Sequence, residues 1–273
     1  MKNVKIFNSI IENKPTPILL EQTKCSFVFD FILDICKSFN CNNSKTFCNN
    51  CSECKKISSG NYFDLYIIDF YEKSAKKEEV VQLMNNLKYS SLEKAGNKFL
   101  VIKGIEKANK QITNLMLTTI ESKQKNTYYI FTSKNVHSVL ETILSRCYIF
   151  RLETDYQKAF DILKLNNVEV KYIPFLVEAF YEVDEMLEFY ISKDFKKCVE
   201  FCDVLLDSRY KIVEFKKLLN TFKTFDYKFI EKIFYYLLKT TEKKLAIYEL
   251  IKNIHLNINK TLIFNELINA LFY

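Results

Sequence analysis

Four cysteines spaced as Cys41-x6-Cys48-x2-Cys51-x2-Cys54 carry the sharpest chemical signal in this chain. A C-x2-C turn lets two thiolates reach one ion at about 2.3 Å, and four thiolates complete a tetrahedral zinc shell. The surrounding stretch is polar (Asn40, Asn42, Asn43, Ser44, Asn49, Asn50, Ser52) and has little else to fold around. Ion binding would supply its order. Lys45, Lys55 and Lys56 are near enough in sequence to offset the charge of four thiolates. No histidine lies close by, and four thiolates leave no open position, so the expected role is structural rather than catalytic. A loop of free thiols is the alternative. Cys36, one helix turn earlier, reads as a core residue. So do Cys198 and Cys202, which share one face of a helix at four-residue spacing.

The glycine count excludes other chemistry. Gly60, Gly96 and Gly104 are the only glycines, so neither G-x-x-x-x-G-K nor G-x-G-x-x-G can be written anywhere in the chain. Nucleotide binding through a glycine cradle is ruled out. The three prolines, Pro15, Pro17 and Pro174, are equally sparse, which favours long helices over a many-turn β-sandwich. The 273 residues are 48% hydrophobic and 27% charged, ordinary for a globular protein. A net charge of +7 permits a polyanionic neighbour without demanding one. No apolar run approaches the ~20 residues of a spanning helix, and Met1 to Pro17 has no signal-peptide core, so neither a membrane span nor a secretory leader is expected. Nine cysteines, an odd number, then point to a reducing cytoplasm, where clustered thiols read as metal ligands.

The elements that hold these residues alternate through the first half. Short apolar runs at 17–20, 65–68, 99–102, 128–131 and 147–150 read as strands. Between them, Phe27, Val28, Phe31, Ile32 and Ile35 recur at helical spacing in a helix near 24–39. Val80, Val81, Met84 and Leu87 mark a second helix, and Ile112, Leu115, Met116 and Thr119 a third. Continuously apolar strands separated by amphipathic helices imply a doubly wound parallel sheet covered on both faces, over about 1–153. Past Asp155 no strand signal recurs, and 155–192 and 194–273 read as helices with Leu, Ile, Phe and Tyr faces. Asp194 is a candidate N-cap.

The order strand, helix, four-cysteine module, strand resembles the bacterial DNA polymerase III clamp-loader family, the AAA+ proteins that open the sliding clamp. The matching text is Cys41 to Cys54, Lys55-Lys56-Ile57, and Gly60-Asn61-Tyr62-Phe63-Asp64-Leu65. The family typically has C-x8-C-x2-C-x2-C and then a Gly-x-His-Pro-Asp-like turn; here the first spacer is shorter and Tyr62-Phe63 replaces His-Pro. Lys98 to Asn109 and Asn114 to Glu121 look like the family's strand and its Asn-x-Leu-Leu-Lys-x-Leu-Glu helix. Ser145-Arg146-Cys147 matches its Ser-Arg-Cys motif, and Asn259 to Ile268 is similar to a last collar helix. The resemblance spans most of the chain. It implies an AAA+-like α/β domain with a zinc module (1–153), a small helical lid (154–192) and an all-α oligomerisation collar (193–273).

Departures from the pattern narrow the implied role. An ATPase member needs a glycine cradle after the first strand, where this chain has Glu21-Gln22-Thr23-Lys24. It needs acidic residues after the third strand for Mg²⁺, where this chain has Lys103-Gly104, with Glu106 displaced by two. The chain thus resembles the non-hydrolysing delta-prime members rather than the gamma/tau motor: no ATP bound, no catalysis of its own. By the same resemblance Arg146 projects into a neighbour's ATP site as an arginine finger, with Ser145 and Cys147 shaping its turn. Its partners would be gamma/tau and delta subunits, the sliding clamp and, through the complex, primer-template DNA. Lys73, Lys76 and Lys77 could face phosphates or simply form a solvated loop. An ATP-hydrolysing subunit, a free-standing zinc-module nucleic-acid binder, and a degenerate AAA+ scaffold of another complex are the rival readings.

Overall fold

The computed structural model describes residues 2–72, 77–122, 124–206, 212–254 and 259–272. Lys73 and Lys76 of the basic run lie outside the described residues. The chain divides into two compact units, Met1–Thr154 and Asp155–Tyr273.

The first unit runs α1 (Lys2–Asn13), β1 (Ile18–Glu21), α2 (Val28–Asn40), α3 (Ser52–Ser58), β2 (Leu65–Asp69), α4 (Lys77–Asn86), β3 (Lys98–Lys103), α5 (Lys110–Glu121), β4 (Thr127–Ser133), α6 (Glu141–Leu144) and β5 (Tyr148–Arg151). Its strands form one parallel sheet in the order β2-β3-β4-β1-β5. Strand side chains alternate between faces, which sorts the apolar runs into two cores. Ile18, Leu20, Phe99, Val101 and Ile130 meet Ile10 of α1, Ile32 and Ile35 of α2 and Ile57 of α3. Leu19, Leu100, Ile102 and Phe131 meet Val80 and Met84 of α4, Ile112 and Met116 of α5 and Ile143 of α6. Full burial of each such side chain stabilises by about 1.5–3 kcal/mol, and the two-sided covering is what the unbroken apolar runs imply.

Two local features differ from the sequence expectation, and one, α1, is not part of it. β5 is an edge strand, and its Tyr148 and Ile149 are 58% and 46% exposed, so its apolar run is not a buried one. The residues before Pro17 form α1, whose Ile6, Phe7, Ile10 and Ile11 pack on the sheet. Asn3 ties this helix to the end of β5: its Nδ2 donates to the Glu153 carbonyl and its Oδ1 accepts from the Glu153 amide, each at 2.8 Å. The helix read near 24–39 begins only at Val28, because Cys25 and Phe27 take left-handed backbone angles, each with φ of 50°.

The second unit is helical among its described residues: α7 (Tyr156–Leu165), α8 (Ile173–Ala179), α9 (Val183–Ile191), α10 (Lys193–Leu206), α11 (Ile212–Thr224), α12 (Tyr227–Thr240), α13 (Lys244–Asn253) and α14 (Lys260–Phe272). Its core is aromatic. Tyr236 of α12 packs on Phe175 of α8, and Phe222 of α11 on Phe264 of α14. Cys198 and Cys202 are fully buried in α10, as core residues. The N-cap of α10 is Ser192, not Asp194: the Ser192 Oγ accepts from the Phe195 amide at 3.2 Å. Asp194 falls inside the first turn, where its carboxylate pairs with Lys197 and favours the positive end of the helix dipole.

Candidate metal centre and a surface arginine turn

The four cysteines of the module converge. Cys41 follows the last residue of α2 with extended backbone, and Cys51 is the N-cap of α3. Between them Asn49 takes φ of 58°, a left-handed angle that asparagine tolerates better than most residues. This folds Cys48 back over the start of α3. The Cys51 amide donates to Cys48 Sγ at 3.3 Å, and the Cys54 amide to Cys51 Sγ at 3.4 Å. All four Sγ atoms lie within 4.8 Å of one another. A tetrahedral site with bonds of about 2.3 Å needs sulfurs about 3.8 Å apart. Four soft donors, amide hydrogen bonds to two of them and this spacing fit a single thiophilic ion, so the cluster could hold a metal such as zinc. Hydrogen bonds from the Asn50 and Cys51 amides pull the Cys48 thiol down to about 6, while burial pushes Cys54 up to about 12. Lys56 does not serve the cluster as its sequence position suggests: its Nζ lies 2.5 Å from Glu93 Oε2.

That ion pair belongs to a network fastening the module to the sheet. Asp64, 1% exposed, uses one oxygen, Oδ2, to accept from Ser91 Oγ, the Leu92 amide and the Glu93 amide at 2.7, 2.7 and 2.9 Å. Glu93 Oε1 in turn accepts from the Phe63 amide at 3.1 Å. The Tyr62 hydroxyl lies 2.9 Å from the Asn97 carbonyl and 3.3 Å from Asn40 Oδ1. The Gly60-to-Asp64 segment is therefore a structural joint, with Tyr62 buried and Phe63 exposed to solvent. The sequence reading places Asn40 only in a polar stretch and does not single out Glu93, because their partners lie far along the chain.

At the carboxyl ends of the strands, ligands of open α/β sheets usually bind. Here Lys103, ending β3, sits across from Asp69, ending β2, and their charged atoms are 2.5 Å apart. Lys103 Nζ also lies 5.5 Å from the ring centre of Phe29, in the first turn of α2. Glu106 Oε1 accepts from the Tyr71 hydroxyl at 2.9 Å and the Lys134 amide at 3.1 Å. Gly104 permits this packing, since a Cβ there would stand 2.9 Å from the Tyr71 ring.

Arg146 follows α6 in the turn that leads into β5 and is 40% exposed at its side chain. Its Nε donates to Glu121 Oε1 at 3.0 Å, and Nη2 lies 2.8 Å from the same oxygen. Nη1 donates to the Thr142 carbonyl at 2.9 Å and to Ser145 Oγ at 3.3 Å. Cys147 packs against the core beneath, where burial raises its thiol to about 12. The arginine turn and the cysteine cluster are thus two separate sites of the same unit.

A five-stranded parallel sheet in this order, helices on both faces and a four-cysteine module after the second helix define an AAA+-like α/β protein. Residues 2–156 match the family described as DNA polymerase III, delta subunit, and the chain belongs to that family. Among curated relatives, DNA polymerase III subunit delta' of Bacillus subtilis (strain 168) is 26% identical over 229 residues, covering 83% of this chain and 66% of the relative. DNA polymerase III subunit gamma of Buchnera aphidicola subsp. Baizongia pistaciae (strain Bp) is 31% identical over 121 residues, 44% of this chain and 32% of the relative. This chain therefore spans about a third of the gamma relative and about two thirds of the delta' relative. The crystal structure of a DNA polymerase III, gamma subunit-related protein of Thermotoga maritima shares the fold, with TM-score 0.51, 14% identity and 98% of each chain covered. Among the described residues no helix is long and apolar enough to cross a membrane.

Proposed function

We propose that this chain is a non-hydrolysing, delta-prime-like subunit of a DNA polymerase III clamp loader. It would have no catalytic output of its own and would lend Arg146 to the ATP site of a neighbouring subunit. The observation that carries this reading is the Lys103–Asp69 pair. In an ATPase of this fold the end of β3 offers carboxylates to Mg²⁺. Here it offers an ammonium instead, paired with the Asp69 carboxylate beside the Phe29 ring, so that carboxylate is already taken. The loop after β1 adds support, with Cys25 and Phe27 side chains where an ATPase needs bare glycine backbone. A guanidinium suits the role in trans, being permanently charged and able to present a planar fork to phosphate oxygens.

The rest of the reading follows from membership of such a complex. The cysteine cluster holds structural zinc. The segment 154–192 is a lid, and 193–273 a collar joining gamma/tau and delta subunits. The sliding clamp and primer-template DNA are met through the assembly, in the cytoplasm, where thiols stay reduced. The test has two arms. The purified chain is titrated with ATP and Mg²⁺, and saturable binding or hydrolysis overturns the non-hydrolysing reading in favour of an ATPase subunit. The chain is then reconstituted with gamma/tau and delta subunits, where Arg146→Ala leaves assembly intact and lowers clamp- and DNA-stimulated ATPase at least about tenfold. Unchanged ATPase removes Arg146 from its role, and failure to join the subunits removes the loader assignment.

A further inference from the structure

The turn holds Arg146 more completely than a surface arginine requires. A guanidinium has five N–H donors. Nε and Nη2 both face Glu121 Oε1, and Nη1 serves the Thr142 carbonyl and Ser145 Oγ, so four donors are committed and one on Nη2 is left. Phosphate oxygens are recognised by two parallel N–H groups acting as a fork. In this conformation no such fork is available. The pair is also at the surface, with the two side chains 40% and 53% exposed, so it can open without unpacking the core. Glu121 is the last residue of α5, which places its carboxylate on a different element from the arginine it holds.

We propose that Glu121 is a latch on Arg146. Its carboxylate parks the guanidinium against the chain's own surface, and the phosphates of a nucleotide on an adjacent subunit displace the carboxylate when Arg146 engages. This rests on the arginine-finger reading above, and names the residue that regulates it. Carboxylate and phosphate compete for the same donors because both are anions with oxygen acceptors. The exposed pair is weak, which makes the latch reversible and limits its effect to roughly two- to fivefold. Glu121 acts through Arg146 and touches no substrate, so it is a positioning residue.

The experiment compares the reconstituted loader carrying wild-type chain, Glu121→Gln, Arg146→Ala and the double variant. Glutamine keeps the shape of the side chain and removes its charge. Glu121→Gln raises kcat/KM for ATP roughly two- to fivefold, Arg146→Ala lowers it, and Glu121→Gln has no effect once Arg146 is gone. A merely structural role for Glu121 instead lowers activity in both backgrounds. A second readout uses the isolated chain: the Arg146 Nε–H exchanges slowly with water by NMR in the wild type and faster in Glu121→Gln. If Arg146→Ala lowers activity while Glu121→Gln leaves it unchanged or lowers it, the latch is wrong and the finger reading stands. If Arg146→Ala changes nothing, the finger reading falls and takes the latch with it. Equal Nε–H exchange in the two isolated chains also overturns the latch.

Discussion

Replacing Asp64 by alanine unfastens the 89–97 segment from the start of β2. Asp64 Oδ2 is the acceptor for Ser91 Oγ and for the amides of Leu92 and Glu93. Ser91 Oγ keeps a second partner, the Glu93 carbonyl at 3.0 Å. The Glu93 amide keeps Ser91 Oγ as a second acceptor at 3.2 Å, and the Leu92 amide loses its carboxylate partner. Each donor left unsatisfied costs about 1–3 kcal/mol, and hydrogen bonds to a charged group sit toward the upper part of that range. With one amide stranded and two weaker bonds remaining, the expected loss is about 3 kcal/mol, still a large share of the 5–15 kcal/mol typical of a whole domain. Phe63→Ala, one residue away and 71% exposed, is the control and costs no more than about 0.5 kcal/mol. Urea unfolding, followed by hydrogen exchange at the β3 amides so that the first unit is read alone, measures both. The exchange data also report the Leu92 and Glu93 amides directly, which lose protection. Metal content stays unchanged, because the cysteines lie within 41–54 and do not depend on Asp64 for their mutual spacing. A loss below about 1 kcal/mol, or Leu92 and Glu93 amides as protected as before, refutes the account of Asp64 as a joint.

Two further predictions concern the two ends of the sheet. Cys51→Ser removes one thiolate while its hydroxyl can still accept from the Cys54 amide as the N-cap of α3, so metal content measured by mass spectrometry falls and residues 41–60 lose exchange protection; a metal-free wild-type protein with an ordered module refutes the zinc assignment. Lys103→Met strands the Asp69 charge, whose Oδ1 still accepts from the Tyr71 amide at 2.8 Å, so the loss is about 1–3 kcal/mol in denaturant unfolding, less than for a fully buried pair; the variant still binds no ATP by calorimetry, because Cys25 and Phe27 continue to occupy the loop, and binding on a par with an ATPase subunit overturns that reasoning.

The strands and the cysteine module were legible for opposite reasons. Leu100 to Ile102 and Ile130 to Phe131 announce themselves because a sheet covered on both faces keeps the middle of its strands apolar, with polar residues such as Lys98, Thr132 and Ser133 toward the strand ends. The module is local: Cys48, Cys51 and Cys54 are turns apart, so spacing alone predicts convergence. α1 carried the same helical periodicity as α2, in Ile6, Phe7, Ile10 and Ile11, but diluted by Lys and Asn. α3 is hidden in the sequence because its N-cap, Cys51, and its third residue, Cys54, read as ligands and its lysines as counter-charges. What spacing cannot supply is partnership between distant elements. Lys103 meets Asp69 only through the register of two parallel strands, and Glu121 meets Arg146 only because two helices end side by side. Ser192 and Asp194 are both good caps on paper, and the direction of one hydroxyl decides between them.

The strand order also has a consequence for biosynthesis. β1 lies between β4 and β5, pairing Ile18 with Ile130 and with Tyr148. Both partners leave the ribosome more than a hundred residues after it does. Until then Ile18, Leu19 and Leu20 are a sticky, unpaired segment on a nascent chain, and closing such distant pairings is slow. Fragments ending before Thr127 lack both strands that pair with β1 and are expected to aggregate for this reason.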